Sequence, residues 1–137
     1  MIQLNVSDPP HDVTVSSPEP WNPAGITVGG GEEYEIDVPP GQLWFDRGIR
    51  NTPDGTPSQN WLMRLFESRR RKPDALWFAL IAAIGRSNEP DSMTVLGEGK
   101  KTFRPAMDGE LFFFANDVRA FYGNNKGDIQ LTIRRVR

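Results

Sequence analysis

The chain has 137 residues, a length that suits one domain with a real hydrophobic core. Its net charge of −2 gives no electrostatic basis for binding nucleic acid, and the absence of Cys excludes disulfides and thiol catalysis. The longest apolar run, residues 75–84, is too short to span a bilayer, and the first residues lack the pattern of a secretion signal. We therefore expect a soluble protein without a signal peptide, either cytoplasmic or exported by a non-classical route.

Thirteen Gly and twelve Pro residues divide the sequence into short apolar runs, which is typical of an all-β protein with many turns. Alternating apolar and polar residues predict strands at residues 33–38 and 128–133, and the continuous apolar run at residues 77–84 predicts a central buried strand. The sequence thus predicts a two-sheet antiparallel β-sandwich. We expect one domain, residues 1–137, in which residues 1–12 form an N-terminal extension.

One stretch departs from the β pattern and predicts a short amphipathic helix packed on the sandwich. Its apolar residues recur at helical spacing: Trp61, Leu62, Leu65 and Phe66. We place this helix in an insertion spanning residues 56–74. The basic residues 69–72 that follow are typical of a solvated helix end that complements the helix dipole, although an anionic partner is an alternative.

The chain is organised around residues 111–133, two strands joined by a polar loop at residues 116–127. The loop carries Asp117, Asn124 and Asn125 and has no His or Cys, so its donors are all hard oxygen atoms. Carboxylate, amide and main-chain oxygens favour calcium over zinc or copper. An ordinary hairpin connection uses the same residue types, but a loop of about a dozen residues exceeds the usual hairpin length and suggests a further purpose.

The run NDVRAFYGNNKGDIQLTI, residues 116–133, resembles the terminal motif of the PA-IL-like family, the calcium-dependent galactose-binding lectins of bacteria. Residues 20–41, 53–55 and 79–85 resemble earlier stretches of the same family in the same order, so the resemblance covers roughly residues 13–136. It implies a β-sandwich of the galactose-binding-like or jelly-roll type, a bound Ca2+ and a carbohydrate partner. Similar lectins often assemble from several copies, which leaves a homo-oligomer open.

The resemblance also implies a set of calcium ligands and sugar contacts. The ligands are the side chains of three loop residues and two main-chain carbonyls: Asp117, Asn124, Asn125, Phe121 and Phe45. The last carbonyl is placed by counting from Gly41, with Trp44 and Asp46 as alternatives one residue away. The implied sugar contacts are made by Asp117, Val118, Asn124 and Thr52.

The loop that contacts the exocyclic hydroxyl of the sugar departs from the family pattern. The family has a His just before Pro-Asp and a Gln just after it, where this chain has Thr52 and Gly55. A short neutral side chain at this place predicts weaker binding and looser selection at that hydroxyl. We therefore expect galactose or a related sugar.

Three functions follow from these observations. The first is a calcium-dependent lectin, and the second is a metal-free interaction or structural module with the same fold. The third, a glycoside hydrolase, needs two carboxylates about 5–10 Å apart, for which Asp46, Asp54 and Asp117 are the candidates. No motif supports catalysis, so we expect a binding protein and not an enzyme.

Overall fold

The computed structural model describes residues 1–87 and 89–137. The strands are β1 (Ile2–Gln3), β2 (His11–Ser16), β3 (Asn22–Val28), β4 (Tyr34–Val38), β5 (Trp44–Asp46), β6 (Ile49–Asn51), β7 (Leu80–Ile84), β8 (Met93–Val95), β9 (Gly99–Phe103), β10 (Gly109–Ala115), β11 (Asn125–Lys126) and β12 (Asp128–Arg135). One α-helix, α1, spans Trp61–Phe66. Short 3-10 turns cover Glu67–Arg69, Pro90–Ser92 and Arg119–Asn124.

Two sheets form the body of the molecule. One has the order β1-β3-β10-β7-β8 and the other β2-β12-β4-β9, while β11, β5 and β6 make a small third sheet at one end. All pairings are antiparallel except that of β1 with β3, by which the N-terminal extension adds an edge strand. The predicted all-β sandwich is confirmed.

The core lies between the two large sheets because alternate residues of each strand point inward. In β12, Ile129, Leu131 and Ile133 are buried while their neighbours face solvent, as the sequence pattern predicted. The central strand β7 is apolar throughout because both of its faces are covered. Leu80 belongs to the main core, and Ile81 belongs to a second apolar cluster on the outer face of the sheet.

The helix is shorter than predicted, and it packs on the sandwich only in part, through Phe66, whose ring lies edge to face on that of Phe121 with centroids 5.2 Å apart. Its six residues include no buried side chain, with Trp61 73% exposed and Leu65 64% exposed. Its first turn is capped by Asn60, whose Oδ1 accepts a hydrogen bond from the Met63 amide at 2.9 Å. In the part of the chain that the structure describes, no helix has the length and apolar content to cross a bilayer.

The basic run after the helix is not uniformly solvated, which corrects a second expectation. The Arg71 guanidinium lies 3.4 Å from the centroid of the Phe114 ring and 4.3 Å from that of Trp21. It donates to the Pro20 carbonyl and, at 2.9 Å, to the Tyr122 hydroxyl. Burial lowers the pKa of Arg71. This arginine therefore joins the insertion to the sandwich through aromatic stacking and hydrogen bonds.

Candidate metal and ligand site

The polar loop begins where β10 ends, and its first residue, Asn116, holds the loop in place through hydrogen bonds. Asn116 is fully buried, and its Oδ1 accepts from the Lys72 amide at 3.0 Å. Its Nδ2 donates to the carbonyls of Lys72, Ala75 and Leu76 at 2.9, 3.2 and 3.0 Å. These four bonds tie the end of the insertion to β10 and fix the backbone position of the next residue, Asp117.

Asp117 is a buried carboxylate, 1% exposed, at the inner end of the site. Its Oδ1 accepts from the Val118 amide at 2.7 Å, and its Oδ2 accepts from Asn125 Nδ2 at 3.1 Å. Burial raises the pKa of Asp117 to about 6; the two hydrogen bonds oppose this rise, and the nearby Asp46 carboxylate adds to it. Burial also raises the pKa of Asp46, although Arg47 opposes that shift. The site therefore concentrates negative charge in a place poorly reached by water.

Two local structures bring further oxygens to Asp117. The 3-10 turn Arg119–Asn124 presents the Phe121 carbonyl and the Asn124 side chain, and the pairing of β11 with β5 sets Asn125 opposite Asp46. Asn125 Nδ2 also donates to the Ser17 carbonyl at 3.1 Å. Because both of its hydrogen bonds use the nitrogen, the Asn125 oxygen is left pointing toward Asn124.

These residues form what we call the oxygen cluster: Asp46, Asp117, Phe121, Asn124 and Asn125. One terminal atom of the Asn124 amide lies 2.7 Å from the Phe121 carbonyl oxygen, 2.8 Å from Asn125 Oδ1 and 3.3 Å from Asp46 Oδ1. If that atom is the amide oxygen, the contacts are repulsive unless a cation lies among them. Calcium ligands at about 2.3–2.6 Å from the ion bring neighbouring oxygens to similar separations.

If that atom is instead the amide nitrogen, the same contacts are hydrogen bonds and need no cation. The nitrogen would then donate to the three oxygens, and the amide oxygen would accept from Arg47 Nε at 3.1 Å. The cluster thus supports two arrangements, one suited to a cation and one closed by hydrogen bonds.

The donor set fits calcium better than a transition metal. Over residues 1–87 and 89–137, no three His, Cys, Asp or Glu side chains are grouped as a metal site. The oxygen cluster has two carboxylates, and its other donors are amide and main-chain oxygens, which hard cations accept. Two carboxylates give the site more charge than the single Asp117 expected from the sequence.

A cleft of about 320 Å³ opens beside the oxygen cluster. Asp46, Asp117 and Asn124 line its polar end, close to the exposed side chain of Arg47. Apart from Asn60, the rest of the lining is apolar and consists of six side chains, which we call the apolar wall: Ile49, Leu62, Met63, Phe66, Trp77 and Phe121. Helix α1 supplies three of the six.

The structure brings together most of the predicted ligands but not all of the predicted contacts. Asp117, Asn124, Asn125 and the Phe121 carbonyl meet in the oxygen cluster. Phe45 pairs with Lys126 and does not line the cleft, where its neighbour Asp46 does.

Two of the predicted sugar contacts lie outside the cleft. Val118 is buried and bridges to Arg70 in the insertion. Thr52 closes a turn, in which its Oγ1 accepts from the Asp54 amide at 3.3 Å. Of the four predicted sugar contacts, Asp117 and Asn124 therefore line the cleft.

Sequence reasoning missed the Asp46 side chain, Arg47 and the apolar wall. A signal existed for Asp46, because strand alternation puts it on the same face as Trp44, which is fully buried. No pattern in the sequence showed that the inserted helix would stand beside the ligand loop.

No family model matches the chain, and no curated protein matches its sequence. Among solved structures, it is similar to the N-terminal domain of EclA, described as a PllA-like lectin. The two chains share 19% identity with a TM-score of 0.62, and the match covers 90% of this chain and 94% of that one. At this level of identity the similarity establishes a common fold.

Proposed function

We propose that the chain is a calcium-dependent carbohydrate-binding protein, a lectin, for galactose or a related sugar. The observation that carries this proposal is the oxygen cluster, in which two carboxylates, two amide side chains and a main-chain carbonyl meet beside the cleft. The similarity of fold to a domain described as a lectin supports the same proposal.

The chain would hold calcium through five residues. Asp46, Asp117, Asn124 and Asn125 would use side-chain oxygens, and Phe121 its main-chain carbonyl. When bound, calcium would supply coordination positions that two neighbouring sugar hydroxyls can fill. Asp117 and Asn124 line the cleft beside that place, where a carboxylate can accept and an amide nitrogen can donate hydrogen bonds to the same hydroxyls.

A second candidate is a metal-free interaction module, which the alternative orientation of Asn124 favours. In that orientation the cluster needs no cation, because the amide nitrogen satisfies its oxygens and Arg47 satisfies the amide oxygen. The two candidates differ in one measurable property. Calcium raises the melting temperature only of a protein that binds it in the folded state.

The carboxylates are poorly placed for the third hypothesis, glycoside hydrolysis. Asp54 does not line the cleft, and its Oδ1 accepts from the Glu98 amide at 2.8 Å. Asp46 and Asp117 both line the cleft, but they lie side by side in the oxygen cluster and do not face each other across a ligand. Hydrolysis needs two carboxyl groups free to face the sugar, so the geometry favours binding.

Calorimetry and a glycan array with and without calcium test the proposal. We expect millimolar or tighter calcium binding, an increase in melting temperature, and glycan binding that a chelator abolishes. Asp117→Ala should remove all three, whereas Asp128→Ala, which changes an exposed aspartate in β12, should remove none. No heat with millimolar calcium and no change in melting temperature would support the metal-free module instead.

A further inference from the structure

Helix α1 has a second face, which lies outside the cleft. Trp61 and Leu65, about one turn apart, are 73% and 64% exposed, and neither lines the cleft. Arg64 is exposed as well and also lies outside the cleft lining. We call these three residues the outer face of the helix. Large apolar side chains that are exposed side by side indicate a surface that contacts another molecule.

The insertion that carries the helix is basic, whereas the rest of the chain is acidic. Of the chain's 16 Lys and Arg and 18 Asp and Glu, residues 56–74 hold five and two, which leaves eleven and sixteen elsewhere. Arg64 and Arg69 are exposed, and no described carboxylate forms an ion pair with either. An anionic surface would therefore attract the insertion and repel the rest of the protein, which sets the orientation of approach.

We propose that the outer face of helix α1 binds an anionic phospholipid surface. Trp61 and Leu65 lie at the boundary between headgroups and acyl chains, where Trp is favoured because its ring is apolar and its N–H is polar. Arg64 and Arg69 contact the lipid phosphates, while their aliphatic stems lie along apolar surface. One short helix and a few charges give a weak and reversible attachment. The inference needs neither calcium nor a sugar.

Charge and size favour a lipid surface over a second copy of the chain. A symmetric pairing of two outer faces would bring the like charges of the two insertions together. A helix of six residues is also only about 9 Å long, too short to supply the roughly 800 Å² per partner of a stable protein interface. A lipid surface requires no such area, because each basic residue and each apolar group at the interface adds to the attachment.

Co-sedimentation with vesicles tests the inference in a chelator, where neither calcium bridging nor calcium-dependent sugar binding contributes. We expect binding to phosphatidylcholine vesicles that contain phosphatidylglycerol, and at least about fivefold weaker binding to phosphatidylcholine alone. Trp61→Ser and Arg64→Gln should each weaken the binding by roughly fivefold or more, because each removes one interfacial aromatic or basic group.

Met107→Ser and Lys101→Gln are the matched controls for the apolar change and for the charge. Met107 is exposed in the segment before β10, whereas the insertion contacts the other end of that strand through Asn116. Lys101 is an exposed residue of β9. Both control variants should bind vesicles within about twofold of the original protein, because charges far from the contact are screened. All four substituted side chains are exposed, so all four variants should fold.

Quenching by lipids with brominated acyl chains tests whether Trp61 enters the interface. It is the exposed tryptophan of the chain, since Trp44 and Trp77 are buried and Trp21 is half-buried. The bound protein should be quenched, and Trp61→Phe should still bind but lose most of the quenching. Binding without quenching would be adsorption by charge alone and would overturn the inference.

The remaining outcomes separate lipid binding from another occupant and from the proposed function. Absence of binding to both kinds of vesicle, or equal losses in the controls and the outer-face variants, overturns the inference. Self-association without vesicles that Trp61→Ser abolishes, measured by analytical ultracentrifugation, would make a second copy the occupant instead. Calcium binding by Trp61→Ser should match that of the original protein, so either proposal can fail while the other stands.

Discussion

Arg47 Nε lies 3.1 Å from the terminal amide atom of Asn124 that faces away from the oxygen cluster. If the Asn124 oxygen points into the cluster, this contact sets two hydrogen-bond donors against each other. If the amide is rotated, the contact becomes a hydrogen bond and the cluster closes on itself. Arg47 therefore favours the arrangement that excludes a cation. Its positive charge also repels a cation in the oxygen cluster.

We predict that Arg47→Gln strengthens calcium binding. The exposed guanidinium is screened by water, so the gain should be modest, roughly two- to fivefold in the dissociation constant measured by calorimetry. Arg50→Gln is the matched control, because Arg50 is an exposed arginine of the neighbouring strand that does not line the cleft. Equal effects of the two variants would show that only overall charge matters.

The raised pKa of Asp117 predicts that the calcium-free protein loses stability as pH rises. The pKa is about 6 in the folded protein and 3.8 ordinarily, so between these values the folded state binds a proton that the unfolded state has released. The free energy of unfolding should fall across this window by about 2–3 kcal/mol from this group. Urea unfolding in a chelator at several pH values measures it.

Asp117→Asn is the control for this pH dependence, because it keeps the shape of the side chain and removes the titration. The decline between about pH 4 and pH 6.5 should become much shallower in this variant. In the original protein, calcium affinity should rise through the same window, since binding needs the ionised carboxylate. A pH profile identical in both proteins would contradict the assignment to Asp117.

The sequence predicted what depends on local pattern. The alternation at residues 128–133 located β12, and the Asn and Asp residues of the loop located three of the five members of the oxygen cluster. What it could not predict depends on contacts between distant segments. The helical spacing of Trp61 and Leu65 predicts a helix correctly, but amphipathic spacing does not say whether a partner covers the apolar face. In the structure Phe121 covers only Phe66 of this face, and no residue of helix α1 is buried.

The basic residues 69–72 also depend on contacts that the sequence does not show. They look alike in sequence, but they differ in burial and in the groups they contact. Arg69 is exposed, while Arg71 enters a cage of aromatic rings that come from three other segments. No local signal distinguishes the two.

We predict that Arg71→Ala lowers the free energy of unfolding by about 2–3 kcal/mol. The variant loses stacking on Phe114 and Trp21 and the hydrogen bond to Tyr122, which are largely shielded from water. Arg71→Lys should recover little, because a lysine has no planar group to stack between rings. Arg69→Ala should cost less than about 0.5 kcal/mol in the same urea titration. Similar losses for the two alanine variants would contradict a structural role for the cage.

Asn116 tests whether the insertion and the oxygen cluster are coupled. Asn116→Ala removes four hydrogen bonds and leaves the amide of Lys72 and three carbonyls without this partner. The free energy of unfolding should fall by about 2–4 kcal/mol. Since Asn116 fixes the backbone next to Asp117, calcium affinity should fall as well.

Asn60→Ala, which removes only the cap of an exposed helix, should change the free energy of global unfolding by less than about 0.5 kcal/mol. Calcium binding by folded Asn116→Ala is measured by calorimetry below its melting temperature. Weaker binding would establish the coupling. Unchanged affinity would show that the loop holds Asp117 in position without Asn116.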